Sequence, residues 1–308
     1  MQSAFRARDA LLLLLLALVW GHSFLFVKVA VGVLAPSWIV ASRMLLGGML
    51  LLLLGLARRD AFPRDRQTLV QLAVLGIVGS ALPWAGQAWA QRFLDSGLVA
   101  VLNACTPLAT LAFAVLAKQE RLERHRVLGI AIAIAGTLTV VGGEVGSGRS
   151  ALALLMAVLA TVGYAFAAVF TRKHVSGRIG NVPAAALQLL FGGVFMVPLA
   201  SLAHGAPPSS FSPLALLSLL ALGLLGTGVA FLIYFTLLER VGATNTSMVT
   251  YLTPIIAMAA GALYRGERFG PSVLVGACAL VGGVWLAQQN RGAAQLERNL
   301  AARASGES

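Results

Sequence analysis

Apolar residues run along this chain in long blocks, and the charged residues fall almost entirely between them. A membrane-crossing helix needs about 20 mostly apolar residues. Ten such blocks can be marked by their flanking charges and turn residues. They predict helices over 10–29, 37–57, 69–91, 97–117, 127–142, 151–171, 183–203, 213–238, 244–263 and 270–288. The connections are short and leave no room for a separate soluble domain. The expectation is therefore an all-α polytopic membrane protein with ten transmembrane helices. Residues 291–308, RGAAQLERNLAARASGES, are polar and read as a cytoplasmic tail. Arg6 and Arg8 ahead of LLLLLLALVWG also have the look of a secretory signal peptide. No persuasive small-x-small cleavage site follows, and the repeat described next requires this block as a helix.

The ten blocks are two sets of five. LNACTPLATLAF (102–113) aligns with VTYLTPIIAMAA (249–260), so Thr106-Pro107 corresponds to Thr253-Pro254 at an offset of 147 residues. The same offset pairs Gly76 with Gly223, Gly79 with Gly226, Glu120 with Glu267, Arg121 with Arg268, Gly129 with Gly276 and Gly136 with Gly283. Upstream, Gly47-Gly48 pairs with Gly192-Gly193, and WGHSF (20–24) with VGYAF (162–166). The expected units are 1–145 and 146–290. Five is odd, so the second unit enters the membrane from the opposite side. Inverted repeats with interrupted helices near mid-membrane are a recurring plan of secondary transporters, with the substrate between the repeats.

Each repeat carries a proline within its fourth helix, Pro107 and Pro254, and both are expected to kink it. The ring displaces the carbonyl four residues earlier, here those of Asn103 and Thr250. Irregular backbone at membrane depth is tolerated where it is buried in protein or lines a wet cavity.

Charge changes the picture only by orienting it. The chain is 58% hydrophobic and 11% charged with net charge +12, against about 25% charged in an ordinary soluble domain. Of the 23 Lys and Arg, seventeen fall on the alternate segments that include the N-terminus, five on the others, and Arg43 lies inside a span. That is the positive-inside bias, which places both termini in the cytoplasm. The basic balance is thus topology and not a nucleic-acid footprint. Cys105 and Cys278 both fall within spans and give neither a disulfide framework nor a metal spacing. No cofactor is implied.

VWGHSFLFVK, SWIVASRMLLGGML and SGLVAVLNACTPLATLAFAVLAKQERLERHRVLGIAIAIAGTLTVVGG together resemble the drug/metabolite transporter superfamily. More narrowly, they resemble its ten-helix bacterial exporters built from two EamA-type repeats. The likeness covers about 10–288 and rests on Trp-Gly-x-x-Phe, the Arg of helix 2, the mid-helix Pro of helix 4 and the Glu-Arg after it. It implies export of small metabolites, often amino acids, across the bacterial inner membrane. A YddG-like branch handles aromatic amino acids and methyl viologen.

Repeat symmetry filters the candidate site without help from the family. Mid-span polar or aromatic positions that pair across the repeats are His22/Tyr164, Arg43/Gln188, Trp84/Phe231, Gln87/Tyr234 and Asn103/Thr250. Trp84, Gln87 and Gln91 share one helix face, as do Ser247, Thr250, Tyr251 and Pro254. Trp38 and Trp285 lie near helix ends and read as interfacial anchors. Trp20 and Trp84 lie too deep for that. The substrate-binding candidates are Trp20, His22, Trp84, Gln87, Asn103, Tyr164, Gln188, Tyr234, Thr250 and Tyr251. Arg43 is open to three readings: snorkelling, a structural hydrogen bond, or a substrate carboxylate. His22 is either a site residue or a neutral imidazole bonded between helices. The glycines of helices 5 and 10 read as close packing, within the chain or between subunits.

The expected function is alternating-access export of small amphipathic metabolites, amino acids first and aromatic ones favoured. The partners are a small-molecule substrate and the lipid bilayer, with monomer and homodimer both open. A carrier of sugar phosphates or nucleotide-sugars would need several deep cations, and only Arg43 and Lys28 are available. A drug-efflux protein and a channel are further alternatives. A membrane enzyme would need a nucleophile–base set, paired carboxylates or His-Glu-x-x-His at membrane depth, and the sequence offers none.

Overall fold

A computed structural model describes residues 6–116 and 123–289. The described residues form ten helical spans: α1 Ala7–Ala30, α2 Pro36–Ala57, α3 Arg66–Ala90, α4 Ser96–Leu116, α5 Arg124–Gly146, α6 Ala151–His174, α7 Asn181–His204, α8 Pro213–Gly242, α9 Val249–Arg265 and α10 Pro271–Gln288. Nine are at least 18 residues long and apolar enough to cross a membrane, and α9 has 17. Local signals explain where they start. Pro36, Pro213 and Pro271 occupy first helical positions, where a missing N–H costs nothing. Asp65 caps α3 by accepting from Thr68 N at 2.8 Å, and Ser150 and Ser212 cap α6 and α8. The tail beyond residue 289 and the Glu120–Arg121 pair lie outside the described residues.

The repeats interlock rather than sit side by side. The first helix of each packs on the fourth helix of the other, α1 on α9 and α6 on α4. The second helix of each packs on the third of the other, α2 on α8 and α7 on α3. The two second helices also pair, α2 with α7, and the two fifth helices pair, α5 with α10. Every one of these contacts maps onto itself or onto its mirror when the repeats are exchanged. α1 is an integral part of the bundle, with Leu16, Ala17 and Ala30 fully buried.

Glycine makes the close approaches possible. A Cβ on Gly136 would meet Leu280 N at 2.5 Å and Gly276 O at 2.6 Å, and one on Gly283 would meet Ala133 N and Gly129 O at the same two distances. The glycine faces of α5 and α10 are therefore turned onto each other inside one chain. Of the two readings for these glycines, intramolecular packing is the one observed, as expected for small residues between membrane helices.

Three of the spans are interrupted. In α3, residues Ile77–Ala81 form a π-helical turn, and in α8, Ala221–Val229 do. An offset of 147 carries the first stretch inside the second. α4 breaks at Ala104-Cys105, and Thr106 Oγ1 donates to the freed Asn103 carbonyl at 2.7 Å. Pro107 is then the second residue of the resumed helix, where proline is well tolerated. The second half differs. The interruption lies at Ser247-Met248, with Thr250 Oγ1 donating to Ser247 O at 2.7 Å, and α9 runs on through Pro254. A matched break at Pro254 is therefore corrected: the second interruption sits about one helical turn earlier in the repeat. Gly242, at φ 79° and ψ 171°, turns the chain from α8 toward it. This backbone region is essentially reserved for glycine.

Candidate functional site

Inside the bundle, five polar or aromatic side chains from four helices meet. Tyr164 of α6 donates through its hydroxyl to Gln87 Oε1 at 3.0 Å, and Gln87 Nε2 donates to Asn103 Oδ1 at 2.7 Å. The carbonyl of Asn103 is the one released at the α4 break and held by Thr106. On the other side, Tyr164 lies beside Trp84 and in the field of Arg43. The Arg43 guanidinium stacks over the Trp84 ring, its Cζ 3.9 Å from the centroid, a cation–π geometry. Arg43, Trp84, Tyr164, Gln87 and Asn103 thus form one continuous chain across α2, α3, α6 and α4. Gln87 is buried, whereas the other four are half-buried.

Two mirrored hydrogen bonds join the repeats, and one of them starts from Arg43. Arg43 Nε donates to Thr227 Oγ1 at 3.2 Å, and its repeat equivalent Gln188 donates through Nε2 to Ser80 Oγ at 2.9 Å. Ser80 and Thr227 are themselves equivalent, and each sits in a π-helical turn. The widened turn is the local cause: Thr227 Oγ1 donates to Leu222 O, five residues back. Such turns recur at functional positions.

A second aromatic group adjoins the first. Trp20 of α1 faces Tyr234 of α8 with centroids 5.7 Å apart, and Phe235 and Phe231 continue the line. Phe231 and Phe235 belong to the same packed cluster as Trp84. The remaining candidates lie elsewhere. His22 Nδ1 is 2.8 Å from Leu18 O of its own helix, and its ring packs near Phe26 and Tyr264, the latter 69% exposed. The Thr250 hydroxyl serves the backbone break, and Tyr251 donates to Gln288 Oε1 of α10. Trp38 donates to Gly205 O at 3.1 Å, clasping the start of α2 to the end of α7, and Trp285 is 55% exposed.

The profile of the EamA-like transporter family matches this chain twice, over residues 8–142 and 151–288. The chain belongs to the EamA-like transporter family. It is 27% identical over 286 residues to a Bacillus subtilis protein named Uncharacterized transporter YvbV, a match covering 91% of this chain and 92% of that one. It is 26% identical over 281 residues to a Streptantibioticus cattleyicolor protein named Probable terminal-alkyne amino-acid exporter, covering 89% and 91%. It is 25% identical over 292 residues to the Probable amino-acid metabolite efflux pump of Salmonella typhimurium, covering 91% and 94%. Among solved structures, a protein crystal structure superposes with TM-score 0.64 at 19% identity, covering 95% of this chain and 99% of that one. That last likeness concerns the fold alone.

As a multi-pass transporter of this family, the chain also carries a tie between the repeats, through Glu267, and one within the first repeat, through Lys28. Glu267, between α9 and α10, is buried and caps the first turn of α4. Its Oε1 accepts from Ser96 N at 2.8 Å and Ser96 Oγ at 2.7 Å, and its Oε2 accepts from Gly97 N at 3.1 Å. A carboxylate suits a helix N-terminus, and Gly261 leaves room for it. Lys28 Nζ donates to the last carbonyls of the α3 region, Gln91 O at 2.8 Å and Leu94 O at 2.7 Å. Lys28 is thereby engaged with backbone. Among the described residues, no group of three His, Cys, Asp or Glu is placed to hold a metal ion.

Proposed function

We propose that this transporter exports small amphipathic metabolites, amino acids first and aromatic ones favoured, across the bacterial inner membrane by alternating access. The observation that carries the reading is the Trp84–Tyr164–Gln87–Asn103 chain. Arg43, Trp84, Tyr164 and Asn103 each keep part of their surface accessible where these polar and aromatic groups meet. A ligand with an apolar body and a few hydrogen-bonding groups matches such walls. The interlocked halves, 1–145 and 146–290, supply the units that move against each other, and the differing registers of the two breaks are the asymmetry one inverted repeat shows in a single state. Two relatives carry names that speak of amino-acid export. The positive-inside count supports cytoplasmic placement of both termini.

The test is counterflow in proteoliposomes with a panel of radiolabelled amino acids. A carrier gives saturable uptake that is accelerated by the same solute trapped inside. Flux that rises linearly with concentration, with no acceleration by internal solute, would make the protein a channel instead.

A further inference from the structure

We infer that Arg43 is the carboxylate receptor of this site: the Nη1–Nη2 edge of its guanidinium receives the carboxylate of the transported solute, so that substrates are anionic or zwitterionic acids. This rests on reading the central chain as the substrate site. Three observations carry it.

The first is direction. A lone arginine in a membrane helix ordinarily bends toward the interface. Arg43 does the opposite, because stacking on Trp84 at 3.9 Å and the Nε bond to Thr227 at 3.2 Å both hold it inside the bundle. The snorkelling reading is thereby set aside. The second is an unmet edge. Thr227 takes Nε, Trp84 takes a face of the plane, and among the described residues Nη1 and Nη2 meet no hydrogen-bond acceptor and no carboxylate. A membrane-depth cation without a counter-ion is costly, and its residual accessible surface is where an anion can reach it. The third is an internal control. Gln188 makes the mirror-image bond to Ser80 with no charge at all. The inter-repeat contact therefore needs only an N–H donor, and the positive charge at position 43 is surplus to the architecture.

The chemistry of the surplus is specific. A guanidinium presents parallel N–H groups that match the two oxygens of a carboxylate, giving short charge-assisted bonds and a fixed orientation. With the carboxylate on that edge, the rest of the solute lies beside Trp84, Phe231 and Phe235. The same geometry disfavours dications, which the unpaired Arg43 charge repels.

The experiment compares acids with their amides. Counterflow in proteoliposomes is competed by a panel of amino acids and the corresponding primary amides, for wild type, Arg43→Gln and Arg43→Lys. Glutamine is chosen because Gln188 reaches the equivalent hydroxyl, so the tie to Thr227 can survive. Expected for wild type is competition by acids and not by amides. Expected for Arg43→Gln is a loss of affinity for acids of about tenfold or more, a collapsed acid-over-amide preference and a melting temperature near wild type. Arg43→Lys should recover part of the preference, since it restores charge without the fork. A purely structural Arg43 would leave the acid-to-amide ratio unmoved in Arg43→Gln, and that result overturns the inference. So does transport of amides alongside acids by the wild type, which leaves the site reading intact. Transport of no acid in the panel would overturn both.

Discussion

Arg43 and Thr227 join the two repeats at mid-depth through a hydrogen bond of 3.2 Å, and the same bond recurs in mirror image between Gln188 and Ser80. Both hydroxyls sit in π-helical turns and both donors sit on the second helix of the opposite repeat. Hydrogen bonds between membrane helices contribute about 0.6 kcal/mol on average. A double-mutant cycle of Gln188→Met and Ser80→Ala, read by unfolding in mixed micelles, should return a coupling of about that size. A coupling of zero would mean the contact is incidental to the fold.

Glu267 ties the α9–α10 connection to the first turn of α4 through three bonds. Removing the carboxylate leaves buried donors unmatched, at a cost of about 1–3 kcal/mol. Glu267→Ala should therefore lower the melting temperature in detergent clearly, and Glu267→Gln less, because one amide oxygen can still accept. Equal melting curves for all three proteins would contradict the tie.

The α5–α10 pair has no room for a side chain at its crossing points. Gly136→Val should reduce folded protein sharply, with an overpacking cost of about 1–3 kcal/mol or more. Gly142 lies on the same helix with nothing within 4 Å of a would-be Cβ, so Gly142→Ala should be neutral. Fluorescence size-exclusion profiles of the two variants check both. A well-folded Gly136→Val would contradict the packing.

Energy coupling follows from where the acids lie. Asp9, Asp60, Asp65, Asp95, Glu123, Glu144, Glu239 and Glu267 lie in connections or near helix ends, and Glu120, Glu297 and Glu307 are outside the described residues. Proton-driven transporters commonly keep carboxylates or histidines at mid-membrane, and His22 is bonded to its own helix beside an exposed tyrosine. Flux is expected to follow the solute gradient. Imposing a pH gradient on proteoliposomes should change the plateau of accumulation little, in wild type and in His22→Ala alike. Steep uphill accumulation driven by protons would contradict this.

Much of the fold was legible because bilayer thickness fixes helix length. All ten spans appear within a few residues of the apolar blocks, and the 147-residue offset marks Gly136 and Gly283, which lie at the α5–α10 contact. Repeat pairing singled out Arg43, Gln87, Asn103 and Tyr164, which the structure gathers with Trp84, and Gln188, which bonds to Ser80. It also singled out His22 and Thr250, which the structure sets apart. Symmetry tells which positions correspond, whereas the face each one presents depends on helix rotation. The register of the second break was not legible, because proline marks where a helix can bend and neighbouring packing decides where it does. Ser80 and Thr227 went unnoticed although they pair at the same offset. A hydroxyl in a membrane helix usually satisfies itself on its own backbone, and only the π-turns, which sequence does not announce, turn these two into inter-repeat acceptors. Glu267 was seen as a repeat marker, and its partner lies 171 residues away.

The most direct test of the site is counterflow of the best-transported amino acid by wild type, Trp84→Ala and Trp285→Ala at equal amounts of folded protein. Trp84 stacks under Arg43 and borders Tyr164, whereas Trp285 is 55% exposed on the outer surface. Expected is near-complete loss of saturable counterflow in Trp84→Ala and wild-type behaviour in Trp285→Ala. Equal activity in the two variants would contradict a substrate site at the centre of the bundle.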